Sequence, residues 1–87
     1  MKVVMYSSNF CPFCFRAKAL LKSKDVEVEE RLVDGDAELR RVMMAESGQH
    51  TVPQIWIGDL HVGGCDDLYA LERAGELDKL LGVQSPS

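Results

Sequence analysis

The chain has 87 residues, enough for one domain with a modest core. Hydrophobic residues make up 46% and charged residues 28%, a globular composition rather than a disordered one. Ten basic against fourteen acidic residues give a net charge of -4 with no basic run, so nucleic acid is not an expected partner and an anionic membrane is a poor match.

In chain order, Met1-Lys-Val-Val-Met-Tyr6 is too short an apolar run for a signal peptide or a membrane span, and a cytoplasmic location is the expectation. Three cysteines in such a compartment argue against a structural disulfide framework; a disulfide here is expected to be transient and chemical. Lys2 to Ser7 reads as a buried strand. Pro12 to Lys24 reads as a helix: Ala17, Leu20 and Leu21 lie at i, i+3 and i+4, and Arg16, Lys18, Lys22 and Lys24 form the solvated face. Pro12 suits its first turn, where an N–H has no acceptor to lose. Val26, Val28, Arg31, Leu32 and Val33 predict a second strand with imperfect alternation. Asp34-Gly35-Asp36 is a turn with Asp36 as the next N-cap. Leu39, Val42 and Met43 form the stripe of a second helix that ends at Gly48.

Pro53 to Ile57 predicts a third strand, with proline at its head where it is tolerated. Gly58-Asp59 is a hairpin signal, so Leu60 to Val62 should pair antiparallel with that strand. Beyond Gly63-Gly64, Asp66 and Asp67 place acids in the first turn of a third helix. Leu68 and Leu71 face the core, Ala74-Gly75 ends the helix, and a short helical segment follows through Leu81. Residues 83–87, ending Gln84-Ser-Pro-Ser87, are expected to be a frayed tail after a single domain over 1–82. The order β-α-β-α-β-β-α makes the first two strands parallel and the last hairpin antiparallel. The expected fold class is α/β, a four-stranded mixed sheet with helices on both faces.

Cys11-Pro12-Phe13-Cys14 falls where the first strand gives way to the first helix. A thiolate is the reactive form of cysteine, and a helix N-terminus stabilises it through free N–H groups and the dipole. Cys11 sits at that terminus. Cys14 lies one turn in, more buried and near enough to close a disulfide. This asymmetry makes Cys11 the attacking nucleophile and Cys14 the resolving thiol. Two readings compete. One is a pair of core cysteines near each other by chance. The other is zinc held by Cys11, Cys14, Cys65 and a histidine; it is disfavoured because there is no second Cys-x-x-Cys and His50 and His61 lie in unrelated segments. No metal is expected.

In Thr51-Val52-Pro53, a cis proline at the head of a strand would present backbone N–H and C=O groups to an extended thiol peptide. An ordinary trans proline is the alternative; beside Cys-x-x-Cys the cis reading is preferred. In Gly63-Gly64-Cys65-Asp66-Asp67, two glycines admit a ligand to the backbone, the helix N-terminus offers N–H groups to a carboxylate, and an Asp can accept from an ammonium group. That combination fits an α-amino acid head group, against a plain loop and helix cap.

With these three motifs in this order, the chain resembles a glutaredoxin over essentially its whole length. The short bacterial dithiol glutaredoxins are similar to it through Arg16-Ala-Lys-Ala-Leu-Leu21, Thr51-Val-Pro-Gln-Ile55 and Gly63-Gly-Cys-Asp-Asp-Leu-Tyr-Ala-Leu71. The resemblance implies a thioredoxin fold, a monomer and glutathione as reductant. It implies reduction of protein disulfides by a dithiol route and of protein–glutathione mixed disulfides by a monothiol route, with ribonucleotide reductase among the acceptors the family suggests. It also implies a glutathione site. The cysteinyl backbone would pair with Val52, between Thr51 and a cis Pro53. The γ-glutamyl carboxylate would meet the N–H groups of Cys65 and Asp66 beyond Gly64, and Asp66 would also accept from the amine. Phe13 stands where the family usually has Tyr, so the ring is kept and the hydroxyl lost. Arg40 lies where the family carries a residue reaching the glycyl carboxylate; a solvated helix face is the equal alternative. One position departs from the pattern: the family's Lys three residues before the nucleophile is Ser8 here.

Two other functions are compatible with parts of this pattern. A redoxin reduced by thioredoxin reductase would need no Gly-Gly-Cys-Asp segment. An iron–sulfur carrier, with Cys11 and glutathione from two chains holding a cluster, is chemically possible. Pro12 counts against it, because cluster-binding relatives more often have a smaller residue there.

Overall fold

The computed structural model describes residues 2–82, so the expected tail over 83–87 lies outside the described residues. Among them the elements run β1 (Val3–Ser7), α1 (Pro12–Ser23), β2 (Val28–Leu32), α2 (Ala37–Ser47), β3 (Gln54–Ile57), β4 (Leu60–Gly63), α3 (Cys65–Arg73) and α4 (Leu77–Leu81). The strands form one mixed sheet in the order β2-β1-β3-β4. β1 pairs parallel with β2, Val3 opposite Val28 and Ser7 opposite Leu32. It pairs antiparallel with β3, Val3 opposite Ile57 and Tyr6 opposite Gln54. The β3–β4 hairpin is antiparallel, with a register shift between Ile55 and Trp56.

The alternation of β1 divides the core. Val3, Met5, Ile55 and Ile57 pack with Ala17 and Leu21 of α1, Leu68 of α3, and Leu77 and Leu81 of α4. On the opposite face, Tyr6, Val33 and Met43 are buried, with Val4, Leu39, Val52 and Trp56 packed around them. Three helices thus cover one face and α2 the other, a specific form of the helices expected on both faces. Leu71 is only partly buried at the margin of the first cluster.

The differences lie at element ends. β2 is shorter than the run from Val26 to Val33. Val33 continues the ladder by donating its N–H to the Ser7 carbonyl at 2.9 Å, but the chain already turns there, since the Asp36 N–H donates to the Val33 carbonyl at 3.1 Å. As a sheet edge, β2 is mostly exposed, which is why its alternation is imperfect. Pro53 precedes β3 rather than opening it, and β4 runs one residue further, to Gly63.

Two local devices set the start of α1. Pro12 occupies its first turn, and the Phe15 N–H donates to the Cys11 carbonyl at 3.1 Å. No acidic side chain lies in that turn to compete for its free N–H groups. Before it, the loop is tied to the far end of β2: the Ser8 hydroxyl donates to Asp34 Oδ1 at 2.7 Å, and the Asn9 N–H donates to Asp34 Oδ2 at 2.6 Å.

Candidate active site

Cys11 is the N-cap of α1, and its side chain does the capping: the Cys14 N–H donates to Cys11 Sγ at 3.2 Å. A sulfur placed so faces the positive end of the helix dipole. The Cys11 thiol, a weak donor, lies 3.8 Å from the Val52 carbonyl oxygen, a long contact. Cys14 is 2% exposed, and its thiol is pushed up to about 12, chiefly by burial and next by its hydrogen bond with Cys11. The described cysteines are all free thiols. Sequence reasoning placed Cys11 at the helix end and Cys14 one turn deeper, and the geometry has that asymmetry.

The Val52–Pro53 peptide bond is cis, the alternative preferred from the sequence. Beside it lies a cleft of about 200 Å³. Its lining includes Phe13 from α1, Thr51, Val52 and Pro53 from the loop before β3, and Gly64, Cys65 and Asp66 from the start of α3. Residues far apart in sequence thus meet around one opening. The amides of Cys65 and Asp66 belong to the first turn of α3, where N–H groups lack intrahelical acceptors. The Asp66 side chain is exposed. Cys65 is 4% exposed and turns its sulfur into the core, so burial pushes its thiol up, against a partial opposing pull from Arg16.

The two glycines differ. Gly63 has φ +113°, and a Cβ there would lie 2.3 Å from Asp67 Oδ2. That carboxylate accepts the Gly64 N–H at 3.0 Å. Gly63 therefore makes room for a helix cap rather than for a ligand. At Gly64 a Cβ would meet only the Pro53 carbonyl, at an ordinary 3.6 Å.

Arg40 is not among the residues lining the cleft. It is half-buried, and its charge acts on Asp34, whose carboxyl is held below its usual range first by the Asn9 N–H, then by the Ser8 hydroxyl, with Arg40 adding to both. Arg16, two residues after Cys14, lies over the Tyr69 ring at 5.3 Å, while the Tyr69 hydroxyl donates to the Arg16 carbonyl at 3.2 Å.

Several contributors were given no part in the site by the sequence motifs. Gln49 and Asp67 also line the cleft. Gln54 is fully buried beneath it. Its Nε2 donates to the Thr51 carbonyl at 3.0 Å and to Gln49 Oε1 at 3.1 Å, and its Oε1 lies 2.8 Å from His61 Nε2. This amide ties the Gln49–Pro53 loop to the sheet and gives His61 a structural partner. Among the described residues, no group of three or more His, Cys, Asp or Glu side chains is arranged to hold a metal ion. No described helix is long and apolar enough to cross a membrane.

Comparison with known proteins places this geometry in a lineage. The family model described as Glutaredoxin matches residues 3–62. The chain is 58% identical over 81 residues to a Pseudomonas aeruginosa protein named Glutaredoxin, a match covering 93% of this chain and 96% of that one. It is 54% identical over 79 residues to Glutaredoxin 3 of Escherichia coli K12, covering 91% and 95%. Among solved structures, a buckwheat glutaredoxin–glutathione complex superposes with a TM-score of 0.85 at 29% identity, covering 92% of this chain and 76% of that one.

Proposed function

The chain belongs to the glutaredoxin family, whose members are thiol–disulfide oxidoreductases, and on that premise we propose that it works with glutathione. Cys11 is the nucleophile and Cys14 the resolving thiol. The observation that carries this reading is the contrast within the pair: Cys11 Sγ accepts an N–H at a helix end, while Cys14 is buried and held protonated.

In dithiol reduction, the Cys11 thiolate attacks a substrate disulfide. A bond forms between Cys11 Sγ and one substrate sulfur, the substrate S–S bond breaks, and the departing sulfur takes up a proton. Two of the causes that hold Cys14 protonated are its hydrogen bond with Cys11 and the Cys11 charge. The mixed disulfide removes that charge, so Cys14 gives up its proton more readily once it is needed. Its attack on Cys11 Sγ closes the Cys11–Cys14 disulfide and frees the second substrate sulfur. Two electrons have then passed to the substrate. Two glutathione molecules restore the dithiol and leave as glutathione disulfide. In the monothiol route, Cys11 takes the glutathionyl group from a mixed disulfide, and a second glutathione removes it.

Glutathione is assigned to the cleft beside cis Pro53. Its cysteinyl backbone pairs with Val52, next to Thr51. Its γ-glutamyl carboxylate meets the amides of Cys65 and Asp66 past Gly64, Asp66 takes the ammonium group, and Phe13 supplies an apolar wall. Arg40, whose charge also acts on Asp34, is the cation assigned to the glycyl carboxylate. The proposed setting is the cytoplasm, with the activity carried by one domain over residues 1–82. The buckwheat complex supports the choice of glutathione.

The test is a pair of coupled assays on a disulfide substrate, one with glutathione and glutathione reductase, the other with thioredoxin reductase. Turnover is expected in the first only. Turnover in the second alone would replace glutathione with a direct protein reductant.

A further inference from the structure

Single apolar side chains in water are ordinary on a small domain, as at Leu32, Met44 and Leu60, but a group of them marks a contact surface. Here Phe10 is 96% exposed, Phe15 58% and Phe13 53%, all within six residues that also hold both candidate catalytic cysteines. Phe13 already has a place, as a wall of the glutathione cleft. Phe10 and Phe15 do not line that cleft. Phe13 and Phe15 are two residues apart on a helix and point to different sides of it.

Phe10 and Phe15 occupy the positions just before the N-cap and four residues after it. Apolar residues there commonly pack on each other and fix how the chain enters a helix. With Phe10 almost wholly in solvent, that packing is not made. The entry angle is fixed instead by Asp34, which holds the Ser8 hydroxyl and the Asn9 N–H. Most of the Phe10 ring and more than half of Phe15 are therefore left open to a partner.

Both rings are also adjacent in sequence to the sulfurs: Phe10 precedes Cys11 and Phe15 follows Cys14. Cys11 itself is 7% exposed, so whatever reaches it must lie against the surface around it. We propose that Phe10 and Phe15 form a docking surface for polypeptide substrates, selecting disulfides whose cysteines are flanked by apolar side chains. The occupant is fixed by the chemistry: it must present a sulfur to Cys11 while covering two aromatic rings. An extended segment with a disulfide cysteine and apolar neighbours does both. Glutathione, held on the Phe13 side, needs neither ring. The inference rests on the redox reading of Cys11 and Cys14 and adds the substrate class to it.

The test compares three substrates under glutathione-coupled turnover: a disulfide peptide with Leu and Phe beside its cysteines, the same peptide with Ser and Gly there, and the mixed disulfide of glutathione with cysteamine. The full chain is assayed beside F10S, F15S and the double variant. Wild-type kcat/KM should favour the apolar peptide by about tenfold, the scale expected from burying part of two rings. The double variant should reduce that preference to within about twofold and leave cysteamine–glutathione turnover within about twofold of wild type, since most exposed substitutions leave folding intact. Equal wild-type turnover of the two peptides overturns the proposal, as does an equal loss on all three substrates in the double variant. A wild-type chain inert on all three overturns the redox reading as well.

Discussion

At the scale of single residues, the division of labour between the cysteines comes from a few contacts. Cys11 caps a helix with its sulfur, and Cys14 is sealed beneath it. Cys11→Ser should abolish both routes, since a hydroxyl at that helix end is a far weaker nucleophile. Cys14→Ser should remove most protein-disulfide reduction and keep removal of glutathione from mixed disulfides, which needs one thiol. Steady-state rates on both substrate types check this, and the reverse pattern would exchange the two roles. Ser8 gives a second test. Its hydroxyl sits at 2.7 Å from Asp34 Oδ1, so a lysine ammonium at position 8 can reach the same carboxylate. Ser8→Lys alone should change the glutathione KM by less than about twofold, because Asp34 takes the new charge. Combined with Asp34→Asn it should lower KM by up to about fivefold, an effect that fades as salt is added. If the single change tightened binding as much as the double, Asp34 would not be the partner of position 8.

Elements supply what single residues cannot: three chain segments brought to one opening. The turn into α3 shows how finely this is set. Gly63→Ala forces a left-handed backbone position and drives Cβ onto Asp67, which must release the Gly64 N–H. A loss of about 1–3 kcal/mol of stability is expected, seen as a lowered Tm. Gly64→Ala has φ −94° and ordinary space, so its stability cost should stay below about 1 kcal/mol. It lines the cleft, however, and its methyl group should raise the glutathione KM by roughly threefold or more. A larger Tm loss at Gly64 than at Gly63 would reverse the roles given to the two glycines. The helices, strands and dithiol were legible because each rests on local signals: a 3.6-residue stripe in α1, proline after Cys11, a hairpin at Gly58-Asp59. The Asp34 clamp and the Gln54 bracket were not. Asp34 reaches back 25 residues to Asn9 and Gln54 forward seven to His61, and side-chain hydrogen bonds between loops leave no periodicity to read. The Gly-Gly pair was legible as a special backbone site, but its division into one cap glycine and one cleft glycine depends on where Asp67 points.

For the molecule as a whole, redox state and stability are linked through Cys14. Its thiol is raised from an ordinary 9.0 to about 12 in the folded chain, first by burial and then by Cys11. Between those values the unfolded chain has lost the Cys14 proton and the folded chain retains it. The unfolded state then binds fewer protons, so stability falls as pH rises. The contribution is fully present below pH 9 and is lost progressively up to about pH 12. Cys65, also raised by burial, acts in the same direction. Closing the Cys11–Cys14 disulfide takes Cys14 out of this balance and leaves Cys65 in it. Reduced protein should therefore lose Tm above pH 9 more steeply than oxidised protein, and the gap between the two forms should widen with pH. Cys65→Ser should flatten both curves by a similar amount and leave the gap intact. The measurement is thermal unfolding of both redox forms from pH 7 to pH 11 at fixed ionic strength. Parallel curves for the two forms would mean that Cys14 is not held protonated by the fold, and the resolving role would then need a source other than burial. A widening gap would mean that the burial which keeps Cys14 protonated until the mixed disulfide forms also makes the dithiol form the less alkali-stable of the two.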